Sequence, residues 1–279
     1  MLHEYVFPDG KAPIYKRERK IIMTERELVS LTYDLSEKSF EKQIGLLRSF
    51  CSINCGSRNV EGNRQVVALV DAVLRDMGAA IEHVDMGEFG TGVVGRIRPE
   101  NPTGRIILNA HLDTAFFTER VEEHPFHIEG EYAWGLGAAD CKGGVTTILY
   151  GVKNAAEAGL LPNKEIVMLF NADEEVGSPE GQKIFRREAA GAEAVFCFEP
   201  GRNKNGVLTF RRGLADGHIR VQGIAAHAGL DSGPGASATR ELANLVMRLT
   251  DRSDLSVAMN YNVVFTGGST NPCMVADRA

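Results

Sequence analysis

Apolar residues recur with a helical period in several stretches of the chain. One stretch leads up to Phe50, with apolar side chains three or four residues apart. A second runs from Asn63 to Met77 and stops at Gly78, a residue type that commonly ends helices. Later stretches predict further helices over residues 145–152, 179–187 and 236–249.

Shorter apolar runs bounded by turn residues predict strands. Residues 80–84 and 91–97 are separated by glycines, and residues 105–110, 165–170 and 194–198 form runs that are typical of buried strands. Since these strands alternate with predicted helices, the sequence predicts an α/β sheet that lies between helices.

The pattern changes after about residue 207. Residues 218–222 alternate like a half-exposed strand, residues 236–249 form an amphipathic helix, and residues 259–265 predict another strand. This β-α-β arrangement predicts a second, smaller α+β domain. We therefore expect a loosely attached leader over residues 1–35, a main domain over residues 36–207 and a second domain over residues 208–279.

Composition argues against several classes of function. The 279 residues carry a formal net charge of -6 without a long basic stripe, so a nucleic-acid partner is not expected. No apolar run approaches the ~20 residues that span a bilayer. The run KRERK at residues 16–20 is typical of a solvated segment. An apolar signal core is missing and the five cysteines form no C-x-x-C pair, so we expect reduced thiols in a cytoplasmic protein.

Residues that bind metals or move protons follow three of the predicted buried strands. They are His111 with Asp113, the pair Glu174 and Glu175, and Glu199. In open α/β sheets, sites form where the carboxyl ends of strands meet. The glycine-rich segment 134–144 adds a further carboxylate at the same rim, that of Asp140.

Each of these features alone has a structural explanation. A histidine at a strand end is commonly structural, a glutamate pair is usually a solvated loop, and a glycine-rich segment can be a turn before a helix. Together they favour a metal centre, because clustered carboxylates resist joint ionisation unless a cation neutralises them. Imidazole and carboxylate ligands favour zinc or a similar first-row ion, and two such ions would balance this many carboxylates.

Five segments carry a more specific resemblance: AHLDT (110–114), GLGAADCKGG (135–144), NADEEVGS (171–178), FEPG (198–201) and AAHAG (225–229). As a set, in this order, they resemble the zinc aminopeptidase–carboxypeptidase family of co-catalytic metallohydrolases. That family includes glutamate carboxypeptidases, acetylornithine deacetylase and succinyl-diaminopimelate desuccinylase. Residues 125–130 and Phe198 look most like the glutamate carboxypeptidase branch. The resemblance implies a mixed-sheet catalytic domain flanked by helices, with an inserted α+β lid or dimerisation domain.

The resemblance also assigns roles at the metal centre. It implies four metal ligands: His111, Asp140, Glu175 and Glu199. Asp140 would bridge two zinc ions, and the peptide bond that follows it would be cis. Asp113 would orient the imidazole of His111, and Glu174 would be the general base. Cys141 is interpreted as a small packing residue.

Two residues of the second domain receive roles from the same resemblance. His227 would support the developing oxyanion in the neighbouring subunit of a homodimer, and Asn271 would contact substrate. The family has a further ligand histidine late in the chain, whereas His227 is the last of the seven histidines here. We therefore expect a truncated member with an incomplete lid, one tightly bound zinc ion and weak uptake of a second.

The function expected from the sequence is zinc-dependent hydrolysis of an amide or peptide bond in a small peptide or acyl-amino acid. Carboxypeptidase-type release of a C-terminal residue such as glutamate is the first hypothesis. An N-acyl-amino-acid deacetylase or desuccinylase is the alternative within the enzymes. A non-catalytic remnant that keeps the fold is the alternative outside them, favoured by the missing histidine, whereas the retained Glu174 favours an enzyme.

Overall fold

The computed structural model describes residues 24–116, 121–201, 206–210 and 212–279. The chain divides into two compact units, one that ends at Val207 and one that spans Leu208–Ala279. None of the described helices is both long and apolar enough to cross a membrane.

The first unit contains four of the described helices and all of the described strands. The helices are α1 (Glu25–Cys51), α2 (Val60–Asp76), α3 (Gly143–Ala158) and α4 (Gly181–Ala189). The strands are β1 (Ala80–Asp85), β2 (Thr91–Ile97), β3 (Arg105–His111), β4 (His127–Glu129), β5 (Tyr132–Trp134), β6 (Glu165–Asn171) and β7 (Ala194–Cys197). The five predicted strands are present within one residue of their predicted bounds. The four predicted helices are also present, but α1 begins earlier and α3 ends later than the sequence predicts, and the short hairpin of β4 and β5 is an addition.

The main sheet is mixed, with the strand order β1-β2-β6-β3-β7. β1 pairs with β2 and β2 with β6 in antiparallel fashion, whereas β3 lies parallel to both β6 and β7. The parallel register places His111, the last residue of β3, opposite Asn171, the last residue of β6. The carboxyl ends of β3, β6 and β7 therefore lie at the same end of the sheet.

Both faces of the sheet are covered, and the central strand β6 is buried along its whole length. Its residues Ile166, Met168 and Phe170 pack in a core with α1, α2 and α3. The alternate residues Val167 and Leu169 pack in a second core that includes Ile184 of α4. A continuous apolar strand is what a sheet with helices on both faces requires. This arrangement confirms the mixed-sheet, helix-flanked fold.

Helix α1 begins earlier than the sequence analysis expects. The side chain of Thr24 accepts a hydrogen bond from the backbone N–H of Glu27, whose carboxylate accepts one from the backbone N–H of Thr24. This capping box starts the helix at Glu25. The part of the predicted leader after residue 24 is therefore helical. The rest of the leader, with the KRERK run, lies outside the described residues.

The second unit contains helix α5 (Ala238–Thr250), capped by the Ser237 side chain, which accepts a hydrogen bond from the backbone N–H of Arg240. The predicted strands at 218–222 and 259–265 are not formed in the described part of this unit, which is a correction to the sequence analysis. The reason is a lack of extended pairing: Gln222 makes one isolated bridge to Arg278, and Met259 one to Asp254.

Candidate metal centre

His111 lies at the end of β3 and is 1% exposed. Its Nδ1 atom is 3.0 Å from the backbone oxygen of Asp113 and 3.3 Å from Oδ1 of the same residue. Its Nε2 atom is 2.9 Å from Oδ1 of Asp140 and 3.7 Å from Oε2 of Glu199. An Nδ1–H donor to Asp113 leaves Nε2 facing the two carboxylates, which is how metal-ligating histidines are usually held.

Asp140 belongs to a tight turn over residues 138–142 that precedes α3. The Asp140–Cys141 peptide bond is cis, as the resemblance implies. A Cβ atom at Gly144 would collide with the carbonyl oxygen of Phe198, the residue before Glu199. Only glycine therefore allows this turn to pack against the chain that leaves β7, which brings the carboxylates of Asp140 and Glu199 to the same histidine.

Four donor atoms converge at this point. Ligand atoms of His111, Asp140, Cys141 and Glu199 all lie within 4.8 Å of one another. The Cys141 thiol is buried and donates to the carbonyl oxygen of Phe198 at 2.9 Å, a contact that suits a packing residue. The Asp140 side chain is 55% exposed, so solvent reaches the group. Imidazole and two carboxylates form a donor set that suits zinc or a similar divalent ion.

Glu174 and Glu175 follow β6 in a short turn over residues 174–176. Their backbone N–H groups each donate to the carboxylate of Asp113 at 3.1 Å. One oxygen of the Glu175 carboxylate accepts a hydrogen bond from the backbone N–H of Ala115 at 2.9 Å. Among the described residues, neither glutamate belongs to the four-residue donor group around His111. The pair lies next to that group, because the charges of His111 and Asp140 act on both glutamates.

The charges of this site perturb its own titration. Burial raises the pKa of Glu174, the positive field of His111 opposes that shift, and the carboxylate of Glu199 adds to it. Burial raises the pKa of Glu175 in the same way. Burial would lower the pKa of His111, but hydrogen bonds with Asp113, Cys141 and Glu199 outweigh that effect and raise the pKa well above its ordinary value. The site thus favours a positive charge among its carboxylates.

Asp113 connects the two halves of the site. Its carboxylate contacts Nδ1 of His111, accepts the two backbone N–H groups at Glu174 and Glu175, and accepts the hydroxyl of Ser57 at 2.7 Å. Burial alone would raise the pKa of Asp113, but these donors lower it below its ordinary value. The sequence analysis did not single out Ser57, because no motif or spacing marks it.

Asp173 is also a buried carboxylate, and the sequence analysis assigned it no role. Its Oδ2 atom accepts the backbone N–H groups of Glu180 and Gly181 at 2.7 and 2.9 Å, at the start of α4. Its Oδ1 atom accepts the side-chain amide of Asn171 at 3.0 Å. These contacts tie the segment that carries Glu174 to the helix that follows it. An acidic residue before a helix was the only sequence signal available.

The two remaining predicted residues lie in the second unit. Nδ1 of His227 accepts backbone N–H groups from Gly229 and Leu230 at 3.2 and 3.1 Å. Oδ1 of Asn271 accepts the backbone N–H of Cys273 at 2.9 Å. Both contacts are local to their own loops, and the roles assigned to these residues stay predictions.

Comparison with known proteins agrees with this geometry. Residues 107–277 match the model of Peptidase family M20/M25/M40. Carboxypeptidase G2 of Pseudomonas sp. (strain RS-16) is 30% identical over 222 residues, which cover 78% of this chain and 53% of that protein. N-formyl-4-amino-5-aminomethyl-2-methylpyrimidine deformylase of Bacillus subtilis (strain 168) is 28% identical over 170 residues, which cover 59% of this chain and 36% of the deformylase. The chain thus spans about half the length of carboxypeptidase G2.

Solved structures show the same fold at low sequence identity. A tripeptidase from Staphylococcus aureus has a TM-score of 0.63 at 15% identity, covering 85% of this chain and 64% of its own. An M20 family metallo-carboxypeptidase from Sulfolobus solfataricus has a TM-score of 0.54 at 18% identity, covering 77% of this chain and 50% of its own. The matched segment contains the whole donor group around His111. On this evidence the chain belongs to Peptidase family M20/M25/M40, a family of metallopeptidases and related hydrolases.

Proposed function

We propose that this chain carries the metal centre of a zinc-dependent hydrolase that cleaves an amide or peptide bond in a small substrate. The proposed reaction is release of a C-terminal amino acid such as glutamate. The convergence of His111, Asp140 and Glu199 donor atoms within 4.8 Å is the observation that carries this proposal. The likeness to carboxypeptidase G2 supports the carboxypeptidase type.

The residues present fit a divalent metal. His111, Asp140 and Glu199 would hold one ion, which is the number of protein ligands usual for catalytic zinc. Glu175 would contribute to a second ion that shares Asp140. Zinc bound there would supply Lewis acidity and lower the pKa of water toward ~7.

Glu174 is the proposed general base. Its carboxylate borders the donor group, and burial raises its pKa, which brings it nearer to the pH at which a carboxylate both accepts and returns a proton effectively. In the proposed reaction, Glu174 takes a proton from the attacking water and delivers it to the nitrogen of the leaving group. Asp113 holds the backbone at Glu174 in place through its carboxylate.

The proposal extends to the second unit and to assembly. His227 is proposed to support the developing oxyanion in the neighbouring subunit of a homodimer that the second unit forms. Asn271 is proposed to contact substrate, and the protein is proposed to be cytoplasmic. The family resemblance is the support for these assignments. Substitution of either residue by alanine should then raise KM or lower kcat without loss of zinc.

A second candidate is hydrolysis of an N-acyl group, because one relative is a deformylase. The test is incubation of the zinc-loaded chain with an N-blocked dipeptide that ends in L-glutamate, with N-acetyl-L-ornithine and with an N-formyl amine. The released amines are measured by chromatography. Selective release of glutamate supports the carboxypeptidase proposal, and selective release from the other compounds supports the second candidate. Zinc binding without cleavage of any compound favours a non-catalytic remnant and contradicts both.

A further inference from the structure

The segment between α1 and α2 packs directly beneath the metal centre. The thiol of Cys55 donates to the carbonyl oxygen of Leu112 at 3.1 Å, and the carbonyl oxygen of Cys55 accepts the backbone N–H of Thr114 at 3.1 Å. Lys142, which is 1% exposed, donates from Nζ to the carbonyl oxygen of Ile53 at 3.0 Å. Residues 53–57 therefore contact both the end of β3 and the turn that carries Asp140.

Ser57 is the residue of this segment that reaches a side chain of the site. Its hydroxyl donates to Oδ2 of Asp113 at 2.7 Å, and the two residues are 2% and 3% exposed. Oδ2 of Asp113 also accepts the backbone N–H of Glu175. Oδ1 accepts the backbone N–H of Glu174 and faces Nδ1 of His111. Each carboxylate oxygen thus has two donors, and Ser57 supplies the shortest contact.

We propose that Ser57 is a positioning residue of the metal centre, acting through Asp113 on the imidazole of His111 and on the backbone at Glu174 and Glu175. Without the hydroxyl, Oδ2 of this buried carboxylate keeps one donor among the described residues, the backbone N–H of Glu175. Rotation of the carboxylate toward other donors would then turn His111 and shift the Glu174–Glu175 segment together. A hydrogen bond to a charged, buried acceptor is strong enough to have this effect.

The consequence for metal binding rests on the proposed function. Partners that orient a ligating histidine typically change metal affinity by about 10–100-fold when they are removed. A serine that only stabilises its loop would lower the melting temperature without changing the affinity of the folded protein for zinc. The two roles therefore differ in a measurable property.

The test compares Ser57→Ala with a matched control, Ser39→Ala. The Ser39 hydroxyl is also buried, donates to the carbonyl oxygen of Leu35 at 2.9 Å and accepts from Asn154, at the contact of α1 with α3. Zinc affinity of the 279-residue chain would be measured by competition with a chromophoric chelator. We expect Ser57→Ala to bind zinc about 10–100-fold more weakly, and Ser39→Ala to bind it like the parent. Equal affinity in all three folded proteins would overturn the proposal.

Two further measurements keep the result unambiguous. Ser57→Cys is nearly isosteric and keeps a weak donor, so it should weaken zinc binding by a smaller factor and serves where Ser57→Ala does not fold. NMR of the metal-free chain should show a changed Nδ1–H signal of His111, assigned with His111→Gln, in the Ser57 variants and an unchanged one in Ser39→Ala. A parent that binds no zinc would refute the proposed function, while unchanged His111 signals in the Ser57 variants would refute the role of Ser57.

Discussion

At the scale of single residues, the candidate metal centre places several carboxylates around one imidazole. His111 faces the carboxylates of Asp140 and Glu199 on one side and that of Asp113 on the other. The pKa of Glu174 is raised, whereas the many donors to Asp113 lower its pKa. The pKa values of these two carboxylates are thus shifted in opposite directions. Such a pair is typical of sites in which one carboxylate transfers protons and the other stays ionised.

Metal stoichiometry tests the ligand assignment. The first site has His111, Asp140 and Glu199, whereas Glu175 with the shared Asp140 gives the second site only two of the assigned ligands. We expect one zinc ion per chain to survive dialysis and a second to bind weakly, because a site with fewer protein ligands holds its ion less tightly. Elemental analysis before and after dialysis measures this. Two tightly held ions would require another ligand for the second site.

The general base is tested by Glu174→Gln in a zinc-loaded protein that hydrolyses the substrates proposed above. General bases contribute about 10²–10⁴-fold to rate, so kcat should fall by that order while zinc content is kept. Glu180→Gln, a change at the start of α4, serves as a control and should leave kcat unchanged. Loss of zinc in Glu174→Gln with turnover retained would reverse the roles assigned to Glu174 and Glu175.

At the scale of elements, β2 and α4 are joined by a buried ion pair. Both terminal nitrogens of Arg96 contact the carboxylate of Glu188, at 2.6 and 2.8 Å, and the Glu188 side chain is 4% exposed. The hydrogen bonds from Arg96 lower the pKa of Glu188 to about 2, against the opposing effect of burial. A bidentate pair of this kind fixes the position of α4 on the sheet.

Removing that carboxylate should destabilise the first unit. We expect Glu188→Gln to lower the free energy of unfolding by about 1–3 kcal/mol at pH 7, because it removes the buried carboxylate that both terminal nitrogens of Arg96 contact and leaves Arg96 only its pair with the more exposed Glu82. Since the folded-state pKa of Glu188 is depressed, its contribution is present above its ordinary pKa of 4.5 and is lost as pH falls toward about 2. Urea denaturation at pH 7 and near pH 3 should therefore show a smaller difference from the parent at the lower pH. The exposed pair of Glu61 and Arg64 gives the control, Glu61→Gln, which should cost little.

The elements also show what the sequence could predict. The strands β3 and β6 could be recognised because continuous apolar runs fit a sheet covered on both faces, and their ends gave the positions of His111 and Glu174. The contact of Ser57 with Asp113 joins residues 56 positions apart, and nothing in the local pattern marks it. The strand predicted at 218–222 failed because an alternating pattern forms a strand only where a neighbouring strand pairs with it.

At the scale of the whole molecule, the sheet has an open edge. Among the described strands, β7 has a neighbour on one side only, the strand β3. Val195 and Phe196 of β7 are each 52% exposed. An edge strand with unpaired N–H and C=O groups and exposed apolar side chains is a surface on which chains associate. β7 is also the strand that leads to Glu199.

We therefore expect the 279-residue chain to self-associate at micromolar concentrations, as measured by size-exclusion chromatography with light scattering. Val195→Lys should reduce the associated fraction, because a charged side chain on an edge strand opposes pairing with another edge. Phe40→Lys is the matched control, since Phe40 is also half exposed but lies in the interior of helix α1, where the backbone groups pair along the helix. If self-association occurs through the open edge of β7, Val195→Lys lowers the apparent mass and Phe40→Lys does not. A monodisperse parent monomer with cooperative melting would contradict the prediction, and an equal effect of both substitutions would assign the association to general surface hydrophobicity instead of the edge of β7.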